Sequence, residues 1–302
     1  MAGEAGLELH QRRVEYENTI RLSLQQAEGL IWPHSTPHTV SAADGLRFDE
    51  IAPFQAPQLL TSKYQEISIK ELSFTHRWLQ TAIYHDEYHW PEIDLPKSLS
   101  DPQSAVFRQF ANNFMQLKDA LAVAALFGPI KRGLRQPGDI ADEVFDATNQ
   151  VVPVNLVESG TAAATGLNRA KLNMAFAMFK RNYAPPGEKY MAIGYLQLID
   201  LLINESLNDK MSILGQFSAT GMLRYLDINF VSYENLPKTG SNRRCPMWMA
   251  EGLRTGTTQA VKTNLDPLVN IVGRPWQATV LGEIGAARVD NKLVVEVLCL
   301  EA

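Results

Sequence analysis

His85 and His89 stand four residues apart in the run TAIYHDEYHWPEIDLP, with Asp86 and Glu87 between them. On a helix, two histidines at that spacing share one face and can hold a zinc ion, with an adjacent glutamate as general base. The zinc-protease pattern sets that glutamate directly after the first histidine, where its carboxylate reaches the metal-bound water. Here Asp86 fills the position and Glu87 comes one step later. Pro91 and Pro96 follow closely, and each pushes the residue before it towards extended geometry, which undermines the helix that chelation needs. A third ligand would have to come from far along the chain. A metal-dependent enzyme using His85, Glu87 and His89 is thus the minor alternative. The adopted reading is a solvated, aromatic-flanked turn with no metal.

Cys245, in NRRCPMWM, is the next candidate. Arg243 and Arg244 beside it could lower its thiol pKa, but a nucleophile also needs a placed base. All six histidines, at 10, 34, 38, 76, 85 and 89, lie in the first third of the chain. The only other cysteine is Cys299, and there is no CxxC, which fits a reducing compartment and gives no disulfide or metal framework. The loop GTAAATG at 160–166 has the glycines of a phosphate loop but not its Gly-Lys-Ser/Thr. A Gly-x-Ser-x-Gly elbow is missing, and the acids form no calcium loop. The expectation is therefore no catalytic, cofactor-binding or metal-binding residues, no cofactor and no enzymatic activity.

The elements around these residues point away from a compact enzyme. The 302 residues suffice for one large or two modest domains, and 45% hydrophobic with 20% charged residues is ordinary for a folded protein. A net charge of -5 argues against a dedicated nucleic-acid binder. The start, MAGEAGLELHQRR, lacks a signal-peptide core, and YMAIGYLQLIDLLI is too short and too polar to span a bilayer, so a soluble intracellular product is expected. Residues 7–30 carry an irregular apolar stripe that permits a helical arm ended by Gly29 and Pro33. From 31 to 99, six prolines break any long helix, while KYQEISIKELSFTHRW alternates polar and apolar residues, with Tyr64, Ile67, Ile69 and Leu72 approximating one face of a strand. So much irregular chain makes sense if part of it packs on another subunit.

Residues 101–128 give the strongest local signal. Asp101 and Pro102 start a helix, Gly128-Pro129 stops it, and Phe107, Phe110, Phe114, Leu117, Leu121 and Ala124 form a stripe. About 25 residues would run roughly 38 Å. Farther on, EVFDATNQVVPVNLVESG reads as short strands. Thr165-Gly166 opens a helix burying Leu172, Ala175, Phe176 and Phe179. EKYMAI is a buried strand and YLQLIDLLIN a short helix. GMLRYLDINFVSYENLP gives two strands meeting at Leu226-Asp227, and WQATVLGEIGAARVDNKLVVEVLCL a hairpin turning at Asp290-Asn291. The order is that of an α+β protein, not a doubly wound sheet.

Taken in order, these stretches resemble the major capsid proteins of tailed bacteriophages, with the Hong Kong 97-like shell fold. The run from RWLQTAIYHDEYHW through FANNFMQLKDALAVAALFG resembles that family's extended loop feeding its spine helix. GEKYMAIGYLQLIDLLIN with ILGQFSATGMLRYLDINFVSYENLP is similar to its axial-domain core, and GEIGAARVDNKLVVEVLCL to its Gly-Ala-x-Arg-Val terminal strands. The resemblance covers about two thirds of the chain. It implies an N-terminal arm at 1–30, an extended-loop region with peripheral-domain strands at 31–100, and a spine helix and peripheral domain at 101–159. An axial domain at 160–270 and C-terminal strands at 271–302, returning to the peripheral and axial sheet, complete it. It further implies self-assembly as hexamers and pentamers into an icosahedral shell around genomic DNA, which the subunit meets only by weak non-specific proximity. A separate scaffolding protein, a portal, assembly in the bacterial host cytoplasm, residence in the virion and no membrane partner also follow from it. The shell of a cellular nanocompartment is the alternative on a related fold. Some family members cross-link through a lysine–asparagine isopeptide bond, and no motif here names such a pair.

Overall fold

A computed structural model describes residues 29–40, 45–51, 74–90, 103–133, 140–158, 160–204, 223–272 and 275–301. A 3-10 turn at Trp32–His34 precedes strands β1 (Thr36–Thr39), β2 (Gly45–Ile51), β3 (Phe74–Gln80) and β4 (Ala82–Trp90). Helix α1 (Gln103–Phe127) comes next, then the short strands β5 (Ile130–Arg132), β6 (Ala141–Glu143) and β7 (Val151–Val152). Helix α2 (Arg169–Arg181), strand β8 (Lys189–Ile193) and helix α3 (Tyr195–Asn204) follow. They lead to β9 (Leu223–Tyr225), β10 (Ile228–Ser232), β11 (Lys238–Thr239) and β12 (Asn242–Met249). Last come the long strands β13 (Leu253–Pro267) and β14 (Trp276–Arg288), then β15 (Val294–Leu300). Residues 1–28 of the expected arm at 1–30, the strand expected around 64–72 and the helix start at Asp101-Pro102 lie outside the described residues.

The strands form three sheets, ordered β1-β13-β14-β4, β7-β15-β12-β8-β10-β9 with β11 added to β12, and β2-β3-β5-β6. In the seven-stranded sheet, β8 runs parallel to β10 but antiparallel to β12, and β15 runs antiparallel to β12 but parallel to β7. This mixed pairing is α+β, as expected. The described residues divide into two compact units, one of 83–116 with 260–282 and one of 29–82, 117–259 and 283–301.

In the first unit, Phe110 and Phe114 of α1 pack on Ala278 and Val280 of β14, flanked by Tyr84, Phe107, Leu265 and Trp276. In the second, Leu172, Ala175 and Phe179 of α2 and Ala122, Val123 and Leu126 of α1 share a core with Met191, Trp248, Val295 and Val297 of the large sheet. Helix α1 therefore serves two cores, and its stripe is not continuous. The front half buries Phe110 and Phe114 as expected. In the rear half Ala124 is exposed, while Asp119, Ala122, Val123 and Leu126 are buried. A single stripe read from spacing assumes one packing partner, and each half meets its own.

Several other expectations are corrected. Helix α2 starts at Arg169, not at Thr165-Gly166, because Asn168 is its cap: the side-chain oxygen accepts from the Lys171 amide at 2.9 Å. The Lys171 ammonium donates to the carbonyls of Thr165 and Gly166 in that loop and of Leu298 in β15, so the lysine ties the small-residue loop to the sheet. The proposed terminal hairpin is not one. A 3-10 turn at Asn291–Leu293, capped by Asp290, sends β14 and β15 into different sheets. The turn at Leu226-Asp227 does hold, with φ of 50° and 62° at the two central residues. Positive φ at both matches the twist of the flanking strands.

Strand β12, the run NRRCPMWM, was not foreseen, because a proline inside a strand argues against a central position. Pro246 is tolerated because β8 pairs only with Met247, Trp248 and Met249, which leaves the proline facing a partner on one side alone.

Candidate functional site

Among the described residues, those that could carry chemistry do not assemble a reactive centre. HDEYH lies inside the nine-residue strand β4, so the expected turn is corrected to a strand. Pro91 ends it, and the extended bias imposed before a proline is what a strand wants. His85, Glu87 and His89 alternate onto one face, all exposed. At about 3.3 Å per residue the two histidines stand roughly 13 Å apart, side by side off the sheet and not converging on one ion. Glu87 accepts a hydrogen bond from Gln277 of β14 at 3.1 Å, and Asp86, on the opposite face, accepts from Asn113 of α1 at 3.0 Å. Among the described residues no group of three His, Cys, Asp or Glu side chains could hold a metal.

Cys245 is fully buried, like Cys299, and both are free thiols on adjacent strands. A hydrogen bond to Cys299, followed by burial, pushes the Cys245 thiol well above its ordinary pKa, and the smaller opposing field of Arg243 does not reverse this. The two arginines are engaged elsewhere. Arg243 makes a bidentate pair with Glu301, both bonds at 2.6 Å, and Arg244 pairs with Glu296 across to β15. Activation of Cys245 by its neighbours is therefore corrected: the thiol is a core residue.

What the structure builds instead is a set of polar anchors on α1 and the sheets. Asp119, fully buried, accepts from the backbone N–H groups of Leu30, Ile31 and Trp32 at 2.7, 2.9 and 2.9 Å. It thereby fixes on the helix the segment that follows residues 1–28. At the end of the same helix, the buried Arg288 guanidinium donates to the carbonyls of Leu126 (2.7 Å) and Gly128 (3.0 Å) and lies 5.3 Å from the centre of the Phe145 ring. A cation here satisfies carbonyls the helix leaves open and complements its dipole. Burial pushes the Arg288 pKa down to about 10. Three residues earlier, a side chain on Gly285 would meet the Gln80 carbonyl at 2.1 Å, so the GAAR run needs its glycine for close backbone approach.

Arg77 of β3 is buried and pairs with Glu50 of β2 and with Glu143 of β6. These residues line a charged cavity of about 560 Å³ that also meets Asp146, Arg181 and Asp290. Glu143 is further bonded to Asn291, Asp146 to Asn149 and Arg181 to the Asn149 carbonyl, so the groups lining this open cavity are engaged with one another. Sequence reasoning missed Asp119, Arg288 and Arg77. The available signal was a charge interrupting an apolar run, as in QLKDALAV and IGAARV.

The outer surface carries the remaining feature. On α3, Gln197 and Leu201 are fully buried, yet Tyr195 (63% exposed), Leu196 (48%), Ile199 (38%) and Ile203 (66%) face outwards. A surface helix ordinarily shows polar side chains there.

An α+β chain with a 25-residue helix and outward apolar side chains has the features of an assembly subunit. Comparison with solved structures agrees. The chain matches the capsid of Ralstonia phage GP4 with a TM-score of 0.73 at 11% identity, over 97% of this chain and 96% of that one. It matches the capsid of cyanophage Pam1 at 0.70 and 10% identity, over 97% of each chain. Against the capsid of Helicobacter pylori bacteriophage KHP30 the values are 0.69 and 9%, over 96% of each chain. At such identities the likeness establishes the fold, which is that of a phage capsid subunit. The family model described as phage capsid protein matches residues 10–301, and the chain belongs to that family. Its role is that of a major capsid protein, a structural subunit of a phage shell that acts by assembling with copies of itself. No curated protein sequence matches it significantly.

Proposed function

We propose that copies of this chain associate as hexamers and pentamers, close into an icosahedral shell around packaged DNA, and catalyse no reaction. The observation that carries this reading is the outward apolar stripe of α3, formed by Tyr195, Leu196 and Ile199, on a chain whose family is that of phage capsids. Exposed apolar side chains in such a row mark a surface meant to be covered. In a closed lattice each subunit repeats every contact, so individually modest contacts become collectively strong.

The finer parts of the account belong to the same proposal. Residues 1–30 act as an arm, 31–100 as the extended-loop region, 101–159 as spine and peripheral domain, 160–270 as axial domain and 271–302 as returning strands. A separate scaffolding protein sets curvature, and a portal occupies one vertex. Synthesis and assembly take place in the bacterial cytoplasm, and the product resides in the virion. A net charge of -5 supports only weak proximity to DNA, since phosphate binding rests on excess Lys and Arg. Among the described residues no helix is long and apolar enough to cross a membrane.

The test replaces Ile199 by Asp and reads assembly by electron microscopy and sedimentation. Wild-type protein forms closed particles, whereas I199D stays as folded, unassembled subunits with an unchanged circular dichroism spectrum. Closed I199D particles at wild-type yield would remove the support given by this stripe.

A further inference from the structure

Helix α2 ends in a complete Schellman motif: the Tyr183 N–H donates to the Lys180 carbonyl at 3.1 Å and the Ala184 N–H to the Phe179 carbonyl at 3.0 Å. The residue between cap and exit must then be left-handed, a position that glycine fills without strain and asparagine tolerates. Here it is Tyr183, with φ of 54°. A β-carbon in that conformation crowds the following carbonyl, so the tyrosine weakens its own fold. Among the described residues nothing compensates. The side chain is 94% exposed, and no described residue stacks on its ring or bonds its hydroxyl. Asn182 is meanwhile held by Gln150 at 3.2 Å, and Pro185 and Pro186 follow, which fixes the loop on both sides of the ring.

A strained backbone carrying a fully presented aromatic ring is unexplained by the stability of the single chain. Strain of this kind persists where a function uses the side chain. Tyrosine offers a large rigid contact area at little entropic cost, and such rings are enriched among the residues that dominate association. We infer that Tyr183 is an anchor between subunits, its ring seated against a second copy of this chain. The occupant is a second copy because the chain belongs to a capsid family and matches capsid subunits along nearly its whole length. The inference rests on the assembly reading given above. The exposed Lys180 and Arg181 beside the ring give the contact a basic rim.

This role predicts opposite signs for two measurements on one variant. Tyr183→Gly and Tyr183→Asn relieve the left-handed strain, so the melting temperature of the unassembled subunit rises. The same variants raise the subunit concentration needed for half-maximal assembly, followed by light scattering, by about tenfold or more. Tyr183→Phe keeps the ring and assembles close to wild type. Glycine and asparagine variants that assemble at the wild-type concentration overturn the anchor while leaving the assembly reading intact. A wild-type chain that never assembles, alone or with its scaffolding partner, overturns both.

Discussion

Replacing Asp119 by Ala removes the acceptor for three consecutive backbone donors, and the cost follows from where each is buried. The Ile31 amide belongs to a fully buried residue, so losing its bond strands a donor, at about 1–3 kcal/mol. The amides of Leu30 and Trp32 belong to half-buried residues that water can reach, and each loses about 0.5–1.5 kcal/mol. The sum is about 4 kcal/mol, which is a large share of ordinary domain stability. Asp119→Asn is milder. One amide oxygen still serves Ile31 and Trp32, while the side-chain amino group opposes the Leu30 N–H, for about 1–2 kcal/mol. Urea unfolding gives the stability change, and hydrogen exchange at residues 30–32 reports the bonds directly. Faster exchange at those three amides in D119A, with an intermediate rate in D119N, is the expected result. A D119A protein within about 1 kcal/mol of wild type, with unchanged exchange at residues 30–32, would refute the idea that this carboxylate fixes the segment.

Two further outcomes follow from the charged groups. The hydrogen bonds from Arg243, with a smaller share from Lys238, hold the Glu301 carboxyl down to about 2 from an ordinary 4.5. A carboxyl with a depressed folded pKa stabilises fully above its unfolded value and loses that contribution as pH falls through the folded one. The urea midpoint should therefore drop between about pH 4.5 and pH 2, and Glu301→Gln should flatten that segment; an identical profile for the variant contradicts the pairing. Replacing both His85 and His89 by Ala should leave zinc content and particle yield unchanged by elemental analysis and microscopy, whereas loss of about one zinc per subunit would restore a metal site of ordinary stoichiometry.

Much of the fold was legible where one element meets one partner. Helix α1, the buried strand KYMAI, the helix YLQLIDLLIN and the turn at Leu226-Asp227 each carry their own periodicity or turn chemistry. Misreadings arose where long-range pairing decides. Helix α1 changes neighbours midway, so its rear face includes Asp119 and omits Ala124. The strands either side of Asp290-Asn291 look like a hairpin locally but are claimed by different sheets. HDEYH reads as a turn because prolines follow it, although an extended residue before a proline is equally the end of a strand. The anchors Asp119, Arg288 and Arg77 show in the sequence only as charges within apolar runs, without their partners. Their partners lie from 27 to 213 residues away, and local sequence cannot name them.

The outward apolar stripe of α3 favours the conclusion that the chain completes itself by contact with its copies. Electron cryomicroscopy of particles from cells expressing this chain with its neighbouring gene products tests that most directly. The expected map is a closed icosahedral shell in which every hexamer and pentamer position is traced by this chain, with α3 and Tyr183 buried against neighbours. Monodisperse monomers under all assembly conditions, or a shell whose repeating density belongs to another chain, would contradict it.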